Sequence, residues 1–177
     1  LDRLRQYYNH PGFVEPFVDA TLAAIARLEE PLRDEARLVF VTHSVPTAMN
    51  DGSGATGGAY VAQHESVMGL VADAVAERTG IVRESELVYC SRSGAPHVPW
   101  LEPDVNDRLA ELAQAGVEAV VLVPIGFVSD HMEVVYDLDT EALATAAEVG
   151  IAATRADTPG IDPRFVALVR DLFLERA

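Results

Sequence analysis

Residues 117–124 read VEAVVLVP, and the reading of this run decides the fold. A short, almost uninterrupted series of Val, Leu and Ala offers no polar face to water. As a strand it must be covered on both sides, which is the situation inside a parallel sheet. Just upstream, Asp104 has the short, oxygen-bearing side chain of a helix N-cap. Val105, Leu109 and Leu112 follow at helical spacing, and Gly116 supplies the residue past the last turn. A helix feeding a doubly covered strand is the repeating unit of a parallel sheet, because parallel neighbours need a crossover connection.

The same alternation extends outward in both directions. Residues 37–42 (RLVFVT) and 86–91 (ELVYCS) are two further apolar runs of β-formers, and residues 151–156 make a fourth short strand. Between them lie helical patterns. Residues 13–28 place Phe17, Thr21, Ala24 and Leu28 on one face, with Pro11 suited to the first turn and Pro16 predicting an irregular start. Tyr60, His64, Val67, Met68, Val71 and Val75 form a second apolar stripe that Gly80 closes. Asp162 and Pro163 open a last helix running through Phe165, Val169, Leu172 and Phe173. The expectation is a single α/β domain over residues 1–177, a doubly wound, four-stranded parallel sheet with helices on both faces.

In such sheets ligands bind outside the carboxyl ends of the strands. That rule selects three loops: the one from His43 to Gly58 (HSVPTAMNDGSGATGG), long for a βα connection; residues 91–103, with three prolines and the one tryptophan; and residues 125–131. Composition narrows what could bind there. Thirteen Lys and Arg against 28 Asp and Glu give a formal charge of −15, which repels phosphate backbones and gathers cations, so nucleic acid is not an expected partner. No apolar run approaches the ~18 residues of a membrane-spanning helix. The single cysteine, Cys90, cannot form an internal disulfide or a cysteine metal cluster, and it fits a reducing cytoplasm. The glycine cluster GSGATGG matches neither GxxxxGK nor GxGxxG, and no GxSxG elbow is present. Cys90, at a strand end, reads as a buried small residue rather than a nucleophile.

The densest set of potential ligands lies in residues 124–141, PIGFVSDHMEVVYDLDTE. On a helix capped by Ser129 or Asp130, the residues Glu133, Asp137 and Glu141 stand at i, i+4 and i+8, with Asp130 one turn behind. Such a carboxylate stripe repels itself, so it calls for open solvent or for a cation. His43, where the first strand ends, projects either into the crevice or onto a neighbouring carbonyl. One imidazole with one to three carboxylates suits Fe²⁺, Mn²⁺ or Zn²⁺, and an incomplete shell suits an ion that must leave again. His131, two residues from Glu133, is expected to point elsewhere on the helix. His64 reads as a satisfied boundary residue, and His10 and His97 have no patterned partner. Trp100 serves equally as a stacking surface or as a plug for a core edge.

These residues resemble the ferrochelatases, in particular the coproporphyrin ferrochelatases of actinobacteria. The likeness rests on VTHSVP (residues 41–46), PWLEPD (residues 99–104) and above all GFVSDHMEVVYDLDTE (residues 126–141), in the family's order. It covers essentially the whole chain. The resemblance implies an enzyme of haem biosynthesis that inserts Fe²⁺ into a porphyrin held between two similar α/β lobes, this chain being the C-terminal lobe. It implies that His43 and Glu133 are the pair at the metal and that Asp137 and Glu141 conduct the hydrated ion along a widened helix. It implies also that Trp100, Phe127, Asp130 and His131 line the porphyrin cleft. No cofactor is expected in this chain, since Cys90 alone cannot hold the iron–sulfur centre of many relatives. The chain starts at Leu1 without a methionine, so a truncation that lacks its N-terminal partner lobe, inactive in isolation, is expected over a lobe-sized paralogue. The rival expectations are a metal- or tetrapyrrole-binding module without turnover, and a small homodimeric chelatase of the kind that acts on sirohydrochlorin.

Overall fold

The computed structural model describes residues 3–176. Helix α1 (Pro11–Arg27) and the single-turn α2 (Glu30–Arg33) precede strand β1 (Arg37–His43). Helices α3 (Thr47–Asp51) and α4 (Ala59–Thr79) lead to β2 (Ser85–Cys90), and α5 (Val105–Gln114) leads to β3 (Ala119–Val123). A π-helical segment (Val134–Ala142) continues into α6 (Leu143–Val149), followed by β4 (Ala152–Arg155) and α7 (Pro163–Leu174). The four strands are all parallel, in the order β2-β1-β3-β4. Residues 117–124 are therefore a central strand, and every residue of β3 is buried.

Two cores form, one on each face of the sheet. On one face α1 and α4 pack Phe13, Phe17, Val67, Val71 and Val75 against Leu38, Phe40, Val121 and Val123. On the other face α5, the π-helical segment and α6 pack Val105, Leu109, Leu112, Val134, Leu138 and Ala146 against Val39, Val41, Val88, Val120 and Leu122. Alternate residues of β1 and β3 serve opposite cores, as strands covered on both faces must. The expected boundaries hold with small shifts. Asp104 caps α5 by accepting from the Asn106 N–H, Gly80 ends α4 at φ 71°, and Asp162 caps α7.

Four details differ from expectation. Pro16 lies inside an uninterrupted α1 that starts at Pro11, and the cap is His10, whose Nδ1 accepts from the Gly12 N–H at 3.0 Å. The loop after β1 is folded around α3: Asn50 accepts from the N–H groups of Gly58 and Val61. On α7, Val169 and Phe173 are 54% and 62% exposed; Leu168 and Leu172 face the core instead, because the helix lies on α1 along that edge. Neither Ser129 nor Asp130 caps a helix. The turns of the acidic segment start at Met132, and the His131 carbonyl accepts from the Val135 N–H at 3.0 Å.

Gly126 is what lets the loop after β3 close onto β1. Its N–H donates to the Val41 carbonyl at 3.2 Å, and a Cβ there would stand 2.7 Å from the Thr42 Cα. Gly126→Ala is therefore expected to cost about 1–3 kcal/mol, as overpacking against fixed backbone does, read as a lower midpoint in urea unfolding.

Candidate functional site

His43 is the last residue of β1, and the loop that carries Glu133 leaves β3, the neighbouring strand. The chain order reverses between these two strands: β1 connects outward to β2, and β3 connects outward to β4. Loops leaving such a pair diverge to opposite faces and open a crevice. The two side chains meet there, His43 Nε2 lying 3.6 Å from Glu133 Oε1. His43 Nδ1 donates to the Ser44 carbonyl, which fixes the tautomer and leaves the Nε2 lone pair facing the carboxylate. The side chains are 31% and 55% exposed, so the pair is open to solvent.

The other acidic residues separate into two groups. In the π-helical segment the backbone N–H groups reach five residues back, as Leu143 does to Leu138. Val134, Leu138 and Ala142 point inward, and Glu133, Asp137 and Glu141 form the adjoining row. Glu133 reaches His43 at the end of β1, and Asp137 accepts a hydrogen bond from Ser91 Oγ at the end of β2. Glu141 is exposed one turn further on. The row thus runs from the switch point toward the β2 edge of the sheet. It does not converge: among the described residues, no three His, Cys, Asp or Glu side chains gather to hold one ion. Of the four residues expected at the metal, the structure brings His43 and Glu133 together, while Asp137 is held by Ser91 at the next strand end and Glu141 stands apart in solvent.

Asp130 belongs to the opposite side. It receives Arg155 at 3.1 Å and 3.2 Å and Thr158 Oγ1 at 3.0 Å, while Asp139 binds the same guanidinium at 2.6 Å. Burial works against the charge of Arg155, and the hydrogen bonds from Asp139 and Asp130 outweigh it, leaving its pKa above the usual value. Asp130 therefore secures the loop to the end of β4 and is not a free cleft carboxylate. His131 reverses its expectation. It lies before the helical turns, so the angle between helix positions does not apply, and its Nδ1 stands 4.0 Å from Glu133 Oε2. Phe127 is 6% exposed, packed in the core beneath the site and edge-on to His131 at 5.5 Å, so it supports the loop from within.

The loops after β1 and β2 are zipped together. Thr47 N–H donates to Pro99, Leu101 N–H donates to Val45, and Ser44 Oγ donates to Leu101. Trp100 is half-buried in this seam over Gly94, where a Cβ would meet its Nε1 at 2.5 Å. Its Nε1 has no hydrogen-bond partner. His97 is exposed, and His64 is satisfied on both ring nitrogens. Sequence reasoning passed over Ser91, which sits at φ 62° at the mouth of the crevice. Its place in a strand-end loop was the available signal, but a left-handed serine has no sequence signature.

Cys90 faces this region without serving it. Burial pushes its thiol up to about 12, and the nearby Asp137 and Asp104 charges act in the same direction. At pH 8 the folded chain should therefore react with iodoacetamide roughly three orders of magnitude more slowly than the unfolded chain. Alkylation followed by mass spectrometry, with and without urea, reads this directly; equal rates would show an accessible thiolate.

The family model described as Ferrochelatase matches residues 1–177. The coproporphyrin III ferrochelatase of Streptomyces coelicolor is 60% identical over 182 residues, covering 100% of this chain and 48% of that protein. The coproporphyrin III ferrochelatase of Nocardia farcinica is 52% identical, covering 99% of this chain and 49% of that protein. The chain thus spans about half the length of the curated relatives it matches. A solved structure described as CbiX, the terminal enzyme for biosynthesis of siroheme in denitrifying bacteria, superposes with a TM-score of 0.55 at 13% identity. It covers 98% of this chain and 62% of that one, a likeness of fold alone.

Proposed function

The chain belongs to the ferrochelatase family, and from that premise we propose that it is the metal-ligand-bearing half of an enzyme that inserts Fe²⁺ into coproporphyrin III. The remaining length of its relatives would supply the facing lobe. One observation carries the proposal: an imidazole lone pair and a carboxylate oxygen held 3.6 Å apart at the switch point of the sheet. An ion about 2.1 Å from each atom fits between them at an open angle. Two protein ligands, one of them more than half exposed, hold an ion loosely and leave its remaining positions to the four ring nitrogens.

The chemistry balances on the same two groups. As Fe²⁺ enters, two pyrrole N–H protons must leave the macrocycle, and His43 Nε2 and the Glu133 carboxylate are two candidate acceptors at the point of entry. The ring must also bend so that its nitrogen lone pairs point at the ion. Contacts at its rim meet that cost, which is why one open lobe binds without turning over. Asp137 and Glu141 would pass the hydrated ion inward from the β2 edge. His131, 4.0 Å from Glu133, would orient that carboxylate. Trp100 would face the macrocycle beside the zipped loops. Among the described residues no helix is long and apolar enough to cross a membrane. Burial of the sole thiol and the acidic surface fit a reaction in the cytoplasm.

The test is a chimera in which this chain replaces the matching half of the Streptomyces coelicolor relative. With His43→Ala, insertion of Fe²⁺ should fall at least about a hundredfold while coproporphyrin III still binds, both followed through the porphyrin absorption bands. Normal turnover in that variant would refute the assignment. The 177-residue chain by itself should bind without insertion; turnover by it alone would show that no second lobe is needed.

A further inference from the structure

Behind the His43–Glu133 pair lies a group of polar side chains that the reaction does not use. Thr42 is fully buried, and its Oγ1 lies 3.0 Å from both the Tyr60 hydroxyl and His64 Nε2. Tyr60 and His64 stand one turn apart on α4 with ring centroids 4.5 Å apart. The direction of the bonds at His64 and at the His43 carbonyl follows from what each atom can do, and with one proton on each hydroxyl the Thr42–Tyr60 approach is then a packing contact and not a further hydrogen bond. His64 Nδ1 lies 2.7 Å from the Tyr60 carbonyl, which only accepts, so Nδ1 carries the proton. Burial lowers the His64 pKa and keeps the ring neutral, so its Nε2 is an acceptor and Thr42 Oγ1 donates to it. Burial raises the Tyr60 pKa, so its phenol stays protonated, and it donates to the His43 carbonyl at 2.7 Å.

We propose that Tyr60, Thr42 and His64 form a buried bracket that sets the position of His43 against Glu133, with Tyr60 as its positioning residue. The bracket grips both sides of the crevice. Tyr60 holds the main chain of His43 itself, while Thr42 is the residue on which Gly126 of the Glu133-bearing loop closes. A buried carbonyl that loses its donor must move or go unpaired. Shifting the His43 backbone by a fraction of an ångström changes the gap to Glu133, because the imidazole moves with the strand end while Glu133 is held by the separate helical segment that follows it. His64 touches neither reacting group; it fixes the Thr42 hydroxyl and, through its bond to the Tyr60 carbonyl, the start of α4.

The inference rests on His43 and Glu133 being the metal-binding pair, and the experiment separates the two ideas. The 177-residue chain is titrated with Co²⁺ by absorption spectroscopy, while the imidazole resonances of His43 and His64 are followed by ¹⁵N-edited NMR. Tyr60→Phe should weaken Co²⁺ binding about fivefold, the equivalent of one net hydrogen bond, and displace the His43 resonances of the metal-free chain. The melting temperature should change little. Thr42→Val, similar in size, should act in the same direction and release the His64 tautomer. Val67→Ala, on the same helix but outside the bracket, should lower the melting temperature and leave Co²⁺ affinity unchanged. Wild-type affinity and unmoved His43 resonances in Tyr60→Phe would overturn the bracket. Absence of any Co²⁺ response at His43 in the wild-type chain would overturn the metal reading instead, and the metal-free resonances of Tyr60→Phe would then decide the bracket alone.

Discussion

The register between β1 and β3 is the constraint on which the rest of the structure depends. Phe40 pairs with Val123, so β3 ends at the level where β1 still has three residues to run, and His43 emerges over the exit of the loop that carries Glu133. Parallel hydrogen bonding places both carboxyl ends on one edge of the sheet, and the outward crossovers of the two strands send their chains to opposite faces. A slip of one residue in β3 would turn its core side chains to the wrong faces and remove Pro124 and Gly126 from the seam with β1. Burial of Val39, Val41, Val120 and Leu122 on one side, and of Leu38, Phe40, Val121 and Val123 on the other, makes such a slip costly. The site is therefore held by the hydrophobic register of two strands some eighty residues apart.

What the sequence makes legible follows from that hierarchy. Elements whose character depends on their own residues were readable: the doubly buried strands, the Asp104 and Asp162 caps, the glycine that ends α4. The crevice was readable as well, since a topological rule applied to three strand-end loops brings His43 and the acidic segment together. The misreadings arise where a partner far along the chain decides. Asp130 was expected as a candidate helix cap, but Arg155, twenty-five residues on, claims its carboxylate. Val169 and Phe173 fit an apolar stripe on α7, yet α1 covers a different side of that helix. His131 was misplaced because the helical turns start after it, and helix starts are less sharply encoded than helix interiors. The bracket was invisible for the same reason: Thr42 reads only as part of a strand, and His64 only as an interruption in a stripe.

The acidic surface and the loose site belong to one physical argument. A net charge of −15 raises the local concentration of divalent ions over the whole surface, and screening confines that attraction to about 8–10 Å from each exposed charge. A row of carboxylates spaced one turn apart provides overlapping fields over those distances. On the proposed reading, an ion at Glu141 would feel Asp137, and one at Asp137 would feel Glu133. Ser91 enters that row, because its hydroxyl donates to one oxygen of Asp137.

On the proposed reading, the His43–Glu133 pair gains from a bracket because it lacks a third ligand. A closed shell of three or four protein donors would position an ion by coordination alone, but it would compete with the macrocycle for that ion. With two donors, coordination no longer fixes the geometry, and the 3.6 Å separation must come from the protein's own packing and hydrogen bonds. On the Glu133 side this is supplied by the inward row of Val134, Leu138 and Ala142. On the His43 side the pairing with β3 has ended at Phe40, and β2 alone still flanks the chain, with His43 opposite Cys90. The Ser44 N–H bond to Cys90 and the Tyr60 hydroxyl bond to the His43 carbonyl take over where the sheet stops. Under the proposed reaction, a site that must release its ion would transfer the burden of precision from the metal to the polypeptide behind it.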